Sequence, residues 1–217
     1  MKSARLLLLV ALTFVGSGPL TAQEKDADNP QVVAAEKIVW TPLFDGKSLK
    51  GWEIVKGYDY EEKGKVDVRD GCLVIGTGQP ATGVRWTEKF PKMNYEIELE
   101  GKRVAGNDFF CGMSFPVGDG ALTLILGGWG GWVVGLSCID GSRAVDNETC
   151  TSRQFKDDQW YRIRVQVTQQ KVSAYLDDKY LCGIETRNRK LTVTSEMEPC
   201  LPFGFATWNT TGALRAI

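Results

Sequence analysis

Apolar and polar residues alternate along most of the chain beyond residue 40. In WYRIRVQV (160–167) every second residue is apolar, which places Tyr161, Ile163, Val165 and Val167 on one face. Alternation with a period of two is typical of a half-buried β-strand, and NYEIELEGKRV (94–104) shows it as well. KVSAYLDDKYLCGIE (171–185) predicts a hairpin that turns at Asp177 and Asp178. No segment carries a long helical stripe. Short strands separated by Gly, Asp, Asn and Pro predict an all-β protein, an antiparallel β-sandwich.

The segment GGWGGW (127–132) is flanked by residues with strand character. It does not fit a phosphate-binding glycine loop, because the glycine spacing is wrong and no Gly-Lys-Ser/Thr follows. If Gly130 and Gly131 are the central pair of a tight hairpin, Trp129 and Trp132 oppose each other on one face. Ile125, Val134 and Leu136 would continue that face. The two indoles then form either a platform for a sugar ring or a plug in the core.

The first 22 residues resemble a secretory signal peptide. Lys2 and Arg5 precede the apolar run LLLLVALTFV (6–15), and small residues follow up to Ala22, the expected cleavage position. An uncleaved membrane anchor is the alternative, although the run is short for a span. Residues 23–39 are polar and predict a flexible linker, and residues 40–217 predict one β-sandwich domain. We therefore expect export to the periplasm or the extracellular space, with no membrane span in the mature chain.

Composition excludes several kinds of chemistry. The chain has 26 basic and 27 acidic residues and no basic run, so it offers no nucleic-acid-binding groove. It contains no histidine, which excludes a Ser-His-Asp triad, a Cys-His pair and imidazole-ligated zinc. Acid–base chemistry would have to use Asp, Glu, Lys, Tyr or Cys. The sequence does not define an oligomeric state.

Six cysteines accompany the predicted export signal, and none of them forms a CxxC motif. In an oxidising compartment some would pair, and fifteen full connectivities are possible. A disulfide between Cys138 and Cys150, closing the loop IDGSRAVDNET (139–149), is the pairing we expect first. Cys72 and Cys182 fit equally well as small buried residues on strands.

The stretch LFDGKSLKGWE (43–53) resembles the N-terminal signature of the 3-keto-disaccharide hydrolase family. VDVRDGCLVIGTG (66–78), FKDDQWYRIRVQV (155–167) and KVSAYLDDKYL (171–181) are similar to later strands of that family. The resemblance implies a concanavalin A-like jelly roll. The signature itself has a structural explanation, because Asp45-Gly46 suits a turn and because Phe44 and Trp52 can be buried.

The resemblance also implies a reaction. A ketone at C3 of a sugar acidifies the hydrogen at C2, a base removes it, and the enolate expels the glycosidic oxygen. The resemblance makes no cofactor certain, and a divalent cation held by carboxylates could polarise the ketone. Relatives carry an acidic residue in a middle strand and a histidine near the C-terminal end. This chain has ALTLILGGW (121–129) and PFGFATWNTTG (202–212) there.

The candidate site residues cluster around the loop between Cys138 and Cys150. Glu148 is the expected base, Arg143 the expected oxyanion partner, and Asp140 the expected acid. Saccharide binding is assigned to Trp129, Trp132, Asn147 and Asp108, and a cation to Asp119. Solvated loop residues are the alternative for the polar members. The functional alternatives are a non-catalytic carbohydrate-binding or cell-surface module and a purely structural envelope protein, since sandwiches host all of these.

Overall fold

The computed structural model describes residues 6–8 and 39–217. The cleavage position at Ala22 and nearly all of the predicted signal peptide and linker lie outside those residues. The three-residue strand Leu6–Leu8 pairs antiparallel with Trp40–Thr41 on one side and with Tyr95 and Glu96 on the other. Within the described part of the chain, no helix is long and apolar enough to cross a bilayer.

The strands form two antiparallel sheets. The nine-stranded sheet contains β1 (Leu6–Leu8), β2 (Trp40–Thr41), β4 (Val66–Arg69), β5 (Cys72–Ile75), β7 (Tyr95–Gly106), β12 (Tyr161–Val167), β13 (Lys171–Leu176), β14 (Lys179–Glu185) and β16 (Thr210–Arg215). The seven-stranded sheet contains β3 (Trp52–Ile54), β6 (Ala81–Trp86), β8 (Cys111–Val117), β9 (Gly120–Gly127), β10 (Val133–Ser137), β11 (Thr151–Ser152) and β15 (Gly204–Trp208). Short 3-10 helices at Tyr58–Tyr60, Ala144–Asp146 and Ser195–Cys200 lie between the strands.

The strand order confirms the predicted antiparallel sandwich. The nine-stranded sheet has the main order β14-β13-β12-β7-β16-β5-β4, and the other sheet has β11-β10-β9-β8-β15-β6-β3. Strand β12 shows the predicted alternation, with Tyr161, Ile163, Val165 and Val167 all buried. The β13–β14 hairpin turns at Asp177 and Asp178, which both adopt positive φ angles, at 50° and 64°.

The main core lies between the two sheets and contains an aromatic cluster around Trp52. The Trp52 indole is 7% exposed and its centroid lies 5.5 Å from Phe205 and 5.2 Å from Trp86. Its Nε1–H donates to the carbonyl of Leu43 at 2.9 Å. Asp45 closes the preceding turn, because its Oδ1 accepts from the backbone N–H groups of residues 47 and 48. The structural explanation of the FDGKSLKGW stretch is therefore confirmed.

The outer face of the seven-stranded sheet carries small residues and is covered by loops. The register places Gly112, Ser114, Thr123, Gly135, Gly204 and Ala206 on this face. A second apolar cluster packs on it, formed chiefly by Tyr60, Ala144, Met197 and Cys200. Two of these belong to the 3-10 helix Ser195–Cys200, which we call the strap. The strap leaves one end of the face open beside Trp129.

Candidate functional site

The GGWGGW segment forms a wider turn than predicted. The last pairing before the tip joins Gly128 to Val133, so that residues 129–132 all belong to the turn. Trp129 has φ 49° and ψ 57°, a left-handed conformation that is rare for a bulky side chain. The prediction that Trp129 and Trp132 face each other across a two-residue hairpin is therefore wrong. Several adjacent glycines allow more than one turn, and the local sequence does not choose between them.

The two tryptophans are not buried in the core either. Trp129 is 37% exposed and Trp132 is 48% exposed. The register pairs Val134 with Leu126 and Gly135 with Ile125, so Val134 faces the main core and Ile125 faces the outer side of the sheet. The common face predicted for Ile125, Val134 and Leu136 therefore does not exist. Both indoles lie at the surface, where they are accessible to a ligand.

A cavity of about 180 Å³ opens on the outer face beside Trp129. Its apolar wall is formed by Phe109, Ile125, Trp129, Met197 and Trp208. Its polar groups come from Asp108, Ser137, Arg143, Thr194 and Glu196. The rings of Phe109 and Trp208 lie 6.1 Å apart, which makes one side of the cavity aromatic. An apolar pocket with a few convergent polar groups is the usual form of a small-molecule site.

Asp108 is the half-buried carboxylate of this cavity. Its Oδ1 accepts from the backbone N–H of Phe109 at 2.8 Å, and its Oδ2 lies 3.4 Å from the N–H of Gly130. The contact with Gly130 links Asp108 to the left-handed turn that carries Trp129. Burial raises the pKa of the Asp108 carboxyl, and the backbone N–H groups only partly oppose that effect. Asp108 therefore combines a structural role with the raised pKa that suits a general base.

Arg143 and Glu196 form an ion pair at the cavity, with Arg143 Nη2 3.3 Å from Glu196 Oε1. The Glu196 side chain is 18% exposed and the Arg143 side chain 53% exposed. Arg143 precedes the 3-10 helix Ala144–Asp146, and Glu196 lies in the strap. The guanidinium is consequently held at the mouth of the cavity while it stays accessible to a ligand. The structure thus brings Arg143, Asp108 and Trp129 together.

Glu148 and Asp140 lie elsewhere, in a cluster with Arg189. Arg189 Nη2 is 2.5 Å from Glu148 Oε1, and Arg189 Nε is 2.6 Å from Asp140 Oδ2. Backbone N–H donors and the Arg189 guanidinium lower the pKa of both carboxyls. Neither side chain lines the cavity. A base needs a raised rather than a lowered pKa to act near neutral pH, so this cluster is better suited to fixing the loop.

Asn147 stabilises the loop of residues 139–149 as well. Its Nδ2 donates to the backbone carbonyls of Leu136, Ser142 and Arg143 at 2.8, 3.2 and 2.9 Å. Its Oδ1 accepts from the backbone N–H of Thr149 at 2.9 Å. The side-chain amide is thereby occupied within the protein. The structure places Asn147 as a support for the segment that carries Arg143, outside the group of cavity-lining residues.

We expect substitution of Arg189 by Met to raise the pKa of both Asp140 and Glu148. The guanidinium favours the charged carboxylates, and Met keeps the length of the side chain without the charge. Carboxyl-carbon NMR titration would measure both midpoints. Because both pKa values lie below those of the unfolded chain, the two carboxylates stabilise the fold at pH values above their unfolded-state pKa values, and this stabilisation is lost as the pH falls. In Arg189→Met the loss of stability on acidification should be smaller. Unchanged midpoints would contradict the ion cluster, and Arg69→Met, at an exposed pair with Asp67, provides a control.

Asp119 is exposed at the β8–β9 turn and contacts Lys92, whose Nζ is 3.4 Å from Asp119 Oδ1. Across residues 6–8 and 39–217, no three His, Cys, Asp or Glu side chains come together as a metal-binding group. The residues around Asp119 therefore do not fit a divalent cation, and no catalytic step is assigned to one.

The cysteines of the described range are all free thiols. Cys138 is buried and Cys150 is exposed, so the structure does not show the predicted Cys138–Cys150 disulfide. Loop closure there is provided by Asn147 and by Thr149, whose Oγ1 accepts from the N–H of Leu136 at 2.9 Å. Cys72 and Cys182 are buried on β5 and β14, in accordance with the alternative that they are small core residues.

Six cavity residues are not singled out by the sequence: Phe109, Ser137, Thr194, Glu196, Met197 and Trp208. Glu196 lies in TSEMEPC (194–200), a polar stretch without a recognisable motif, and Phe109 and Trp208 alternate within ordinary strand patterns. Phe109 and Trp208 are neighbours because β8 pairs with β15, whereas Glu196 reaches the cavity from the strap. Only the folded sheet brings these positions to the same end of one face.

Comparison with known structures first gives the class of protein. A laminarinase from Flavobacterium sp. UMI-01 matches with a TM-score of 0.50 at 16% identity, over 82% of this chain and 88% of its own. The Crh5 transglycosylase bound to NAG matches with a TM-score of 0.51 at 14% identity, over 78% and 67% of the two chains. A mutant of SCLam, an endo-β-1,3(4)-glucanase, matches with 0.51 at 10% identity, over 78% and 79%. The fold is therefore a concanavalin A-like jelly roll, as predicted.

The family follows from the sequence itself. Residues 39–215 match the model of the 3-keto-alpha-glucoside-1,2-lyase-like domain. The chain belongs to this family, which confirms the resemblance found at FDGKSLKGW, and it is a carbohydrate-active domain on a glycosidase-like sandwich. No curated protein matches the chain significantly.

Proposed function

We propose that the cavity beside Trp129 binds one ring of a 3-keto-glycoside and that Asp108 removes the proton at C2. The observation that carries this proposal is the convergence of Asp108, Arg143 and two tryptophans, Trp129 and Trp208, around one small cavity. Its 180 Å³ is below the roughly 300–1,000 Å³ of pockets that hold drug-sized ligands, which suits a single ring. The family to which the chain belongs supports the same chemistry.

The reaction assigns a separate task to each group. The Asp108 carboxylate takes the C2 proton, and the electron pair of that C–H bond moves to form an enolate on the C3 oxygen. The Arg143 guanidinium at the mouth stabilises the negative charge on that oxygen. The enolate then expels the glycosidic oxygen from C1, and this oxygen takes a proton from water. The hydroxide left from that water adds to C1 of the resulting double bond, and Asp108 returns its proton to C2, which restores the carboxylate and completes a net hydrolysis.

This assignment moves the base from Glu148 to Asp108. Glu148 is held by Arg189 and does not line the cavity, whereas burial raises the pKa of Asp108 towards the working range. The assignment also uses no histidine and no cation. It is consistent with a chain that lacks the histidine-bearing segment of its relatives.

The test is to incubate the protein with a 3-keto-glucoside and with its unoxidised parent, in the presence and absence of EDTA. We expect release of the aglycone from the keto sugar alone, with no effect of EDTA. Loss of activity with EDTA would overturn the cation-free assignment. Binding of the keto sugar without turnover would overturn catalysis and favour the alternative, a carbohydrate-binding module. Neither binding nor turnover would overturn the proposal as a whole and leave a structural protein.

Substitution of Trp129 by Ala should weaken saccharide binding about tenfold. A sugar ring packed on an indole gains apolar contact and favourable CH–π geometry, worth roughly 1–1.5 kcal/mol. Trp132→Ala is the matched control, because that indole is similarly exposed but does not line the cavity. Quenching of tryptophan fluorescence or calorimetry would measure both affinities. Equal losses in the two variants would show that the cavity is not the binding site.

A further inference from the structure

The phenol of Tyr60 is fully buried at the end of the 3-10 helix Tyr58–Tyr60, and the proposed chemistry does not use it. Its hydroxyl donates to the backbone carbonyl of Glu196 at 2.7 Å and lies 3.5 Å from the Sγ of Cys200. Burial raises the pKa of Tyr60, and so the hydroxyl stays protonated and remains a donor. One side chain therefore contacts both ends of the strap.

Gly83 on β6 makes this contact possible. A Cβ at Gly83 would lie 3.1 Å from Cε1 of Tyr60 and 3.3 Å from Sγ of Cys200, closer than ordinary van der Waals contact. Without a side chain at Gly83, the Tyr60 ring and the Cys200 thiol both pack directly on the sheet. The height of the strap above the outer face is set by this packing.

The position of the strap determines the position of Arg143. The ion pair with Glu196 is the only ion pair of Arg143 in the part of the chain that the structure describes. Because Tyr60 holds the Glu196 carbonyl, it fixes the backbone from which the Glu196 carboxylate reaches the guanidinium. A half-exposed arginine without that partner would sample many rotamers and be absent from the cavity mouth for much of the time.

We infer that Tyr60 is a positioning residue that orients Arg143 through Glu196. The inference rests on the proposed function, in which Arg143 stabilises the enolate oxygen. An orienting role of this kind acts on the transition state more than on the bound substrate, because the charge on the C3 oxygen develops during the reaction. The loss should therefore appear in kcat and leave KM nearly unchanged.

The test compares Tyr60→Phe with Tyr95→Phe. Each change removes one buried hydroxyl that donates to a backbone carbonyl; the Tyr95 hydroxyl donates to Pro116 at 2.5 Å, in the main core. Both rings are retained, so both variants should fold and lose a similar amount of stability. We expect Tyr60→Phe to lower kcat on the keto-glycoside about 3- to 10-fold, and Tyr95→Phe to leave kcat unchanged. Equal effects on kcat would overturn the inference.

A double-mutant cycle with Glu196→Gln tests the route. If Tyr60 acts through the ion pair, Tyr60→Phe should have little further effect once Glu196 is neutral, whereas additive losses would overturn the inference. The Nε–H resonance of Arg143 gives a readout that does not depend on turnover. This resonance should report an ordered Arg143 side chain in the wild type and a side chain that averages over several rotamers in Tyr60→Phe. An unchanged resonance would also overturn the inference. An inactive wild type with this NMR change would instead overturn the proposed function and leave the orienting role intact.

Discussion

Asp108→Asn should lower kcat on a 3-keto-glycoside about 100- to 10,000-fold. The amide cannot accept the C2 proton, and general-base catalysis by a positioned side chain contributes a factor of about that size. The amide oxygen of Asn can still accept from the N–H of Phe109. Its NH₂ group would then face the N–H of Gly130, and that contact is lost because both groups are donors. Initial rates at saturating substrate would measure the loss, and circular dichroism would check the fold.

Asp45→Asn is the matched control for this variant. Asp45 is also a carboxylate that accepts backbone N–H groups, at 2.7 and 2.8 Å, but it lies in the FDGKSLKGW turn, outside the cavity. Asp45→Asn weakens a turn in the same way, and we expect it to leave kcat unchanged. A similar loss of kcat in both variants would attribute the effect of Asp108→Asn to a weakened turn. Wild-type kcat in Asp108→Asn would remove Asp108 as the base and leave it as an anchor for Trp129.

The raised pKa of Asp108 predicts that both activity and stability depend on pH. Burial raises the pKa of Asp108 above the ordinary 3.8, so kcat/KM should fall on acidification with a midpoint above that value. The folded state binds this proton more tightly than the unfolded chain does. The free energy of unfolding should therefore decrease as pH rises between the unfolded and folded pKa values, and Asp108→Asn should lack that decrease.

The alternating pattern predicted the strands because the period of a half-buried strand is a local property. Strand β12 and the Asp177–Asp178 hairpin can be located from fewer than twenty residues each, and the structure confirms both. The FDGKSLKGW turn was also predictable, since Asp45 and Gly46 have strong local preferences and since large aromatics such as Trp52 are commonly buried. These features depend on neighbours in sequence.

The cavity depends on neighbours in space. Asp108, Arg143 and Glu196 lie before β8, between β10 and β11, and in the strap, and they meet only because β8, β9 and β10 are adjacent in one sheet. The alternation of apolar and polar residues along the chain does not encode the order of the strands in the sheet. The sequence also favoured Glu148 because of its position in a polar loop, without any sign that Arg189, 41 residues away, would pair with it. Ion pairing between distant residues decides which carboxylates remain available.

Trp52→Ala should lower the free energy of unfolding by about 3–5 kcal/mol, the usual cost of replacing a large buried aromatic by alanine. The indole packs against Trp86, Phe203 and Phe205, and the change also leaves the carbonyl of Leu43 without its Nε1–H donor. Urea denaturation would measure the loss, with Trp132→Ala as a control for an exposed indole, expected within about 0.5 kcal/mol of wild type.

Under folding conditions Trp52→Ala should bind saccharide with unchanged affinity, because the indole is not part of the cavity. Since this tryptophan belongs to the stretch that carries the family resemblance, lost affinity in a folded variant would give that stretch a direct functional role. Retained affinity with lost stability would mean that the stretch identifies the family through its fold, while Asp108, Arg143 and Trp129 carry the chemistry.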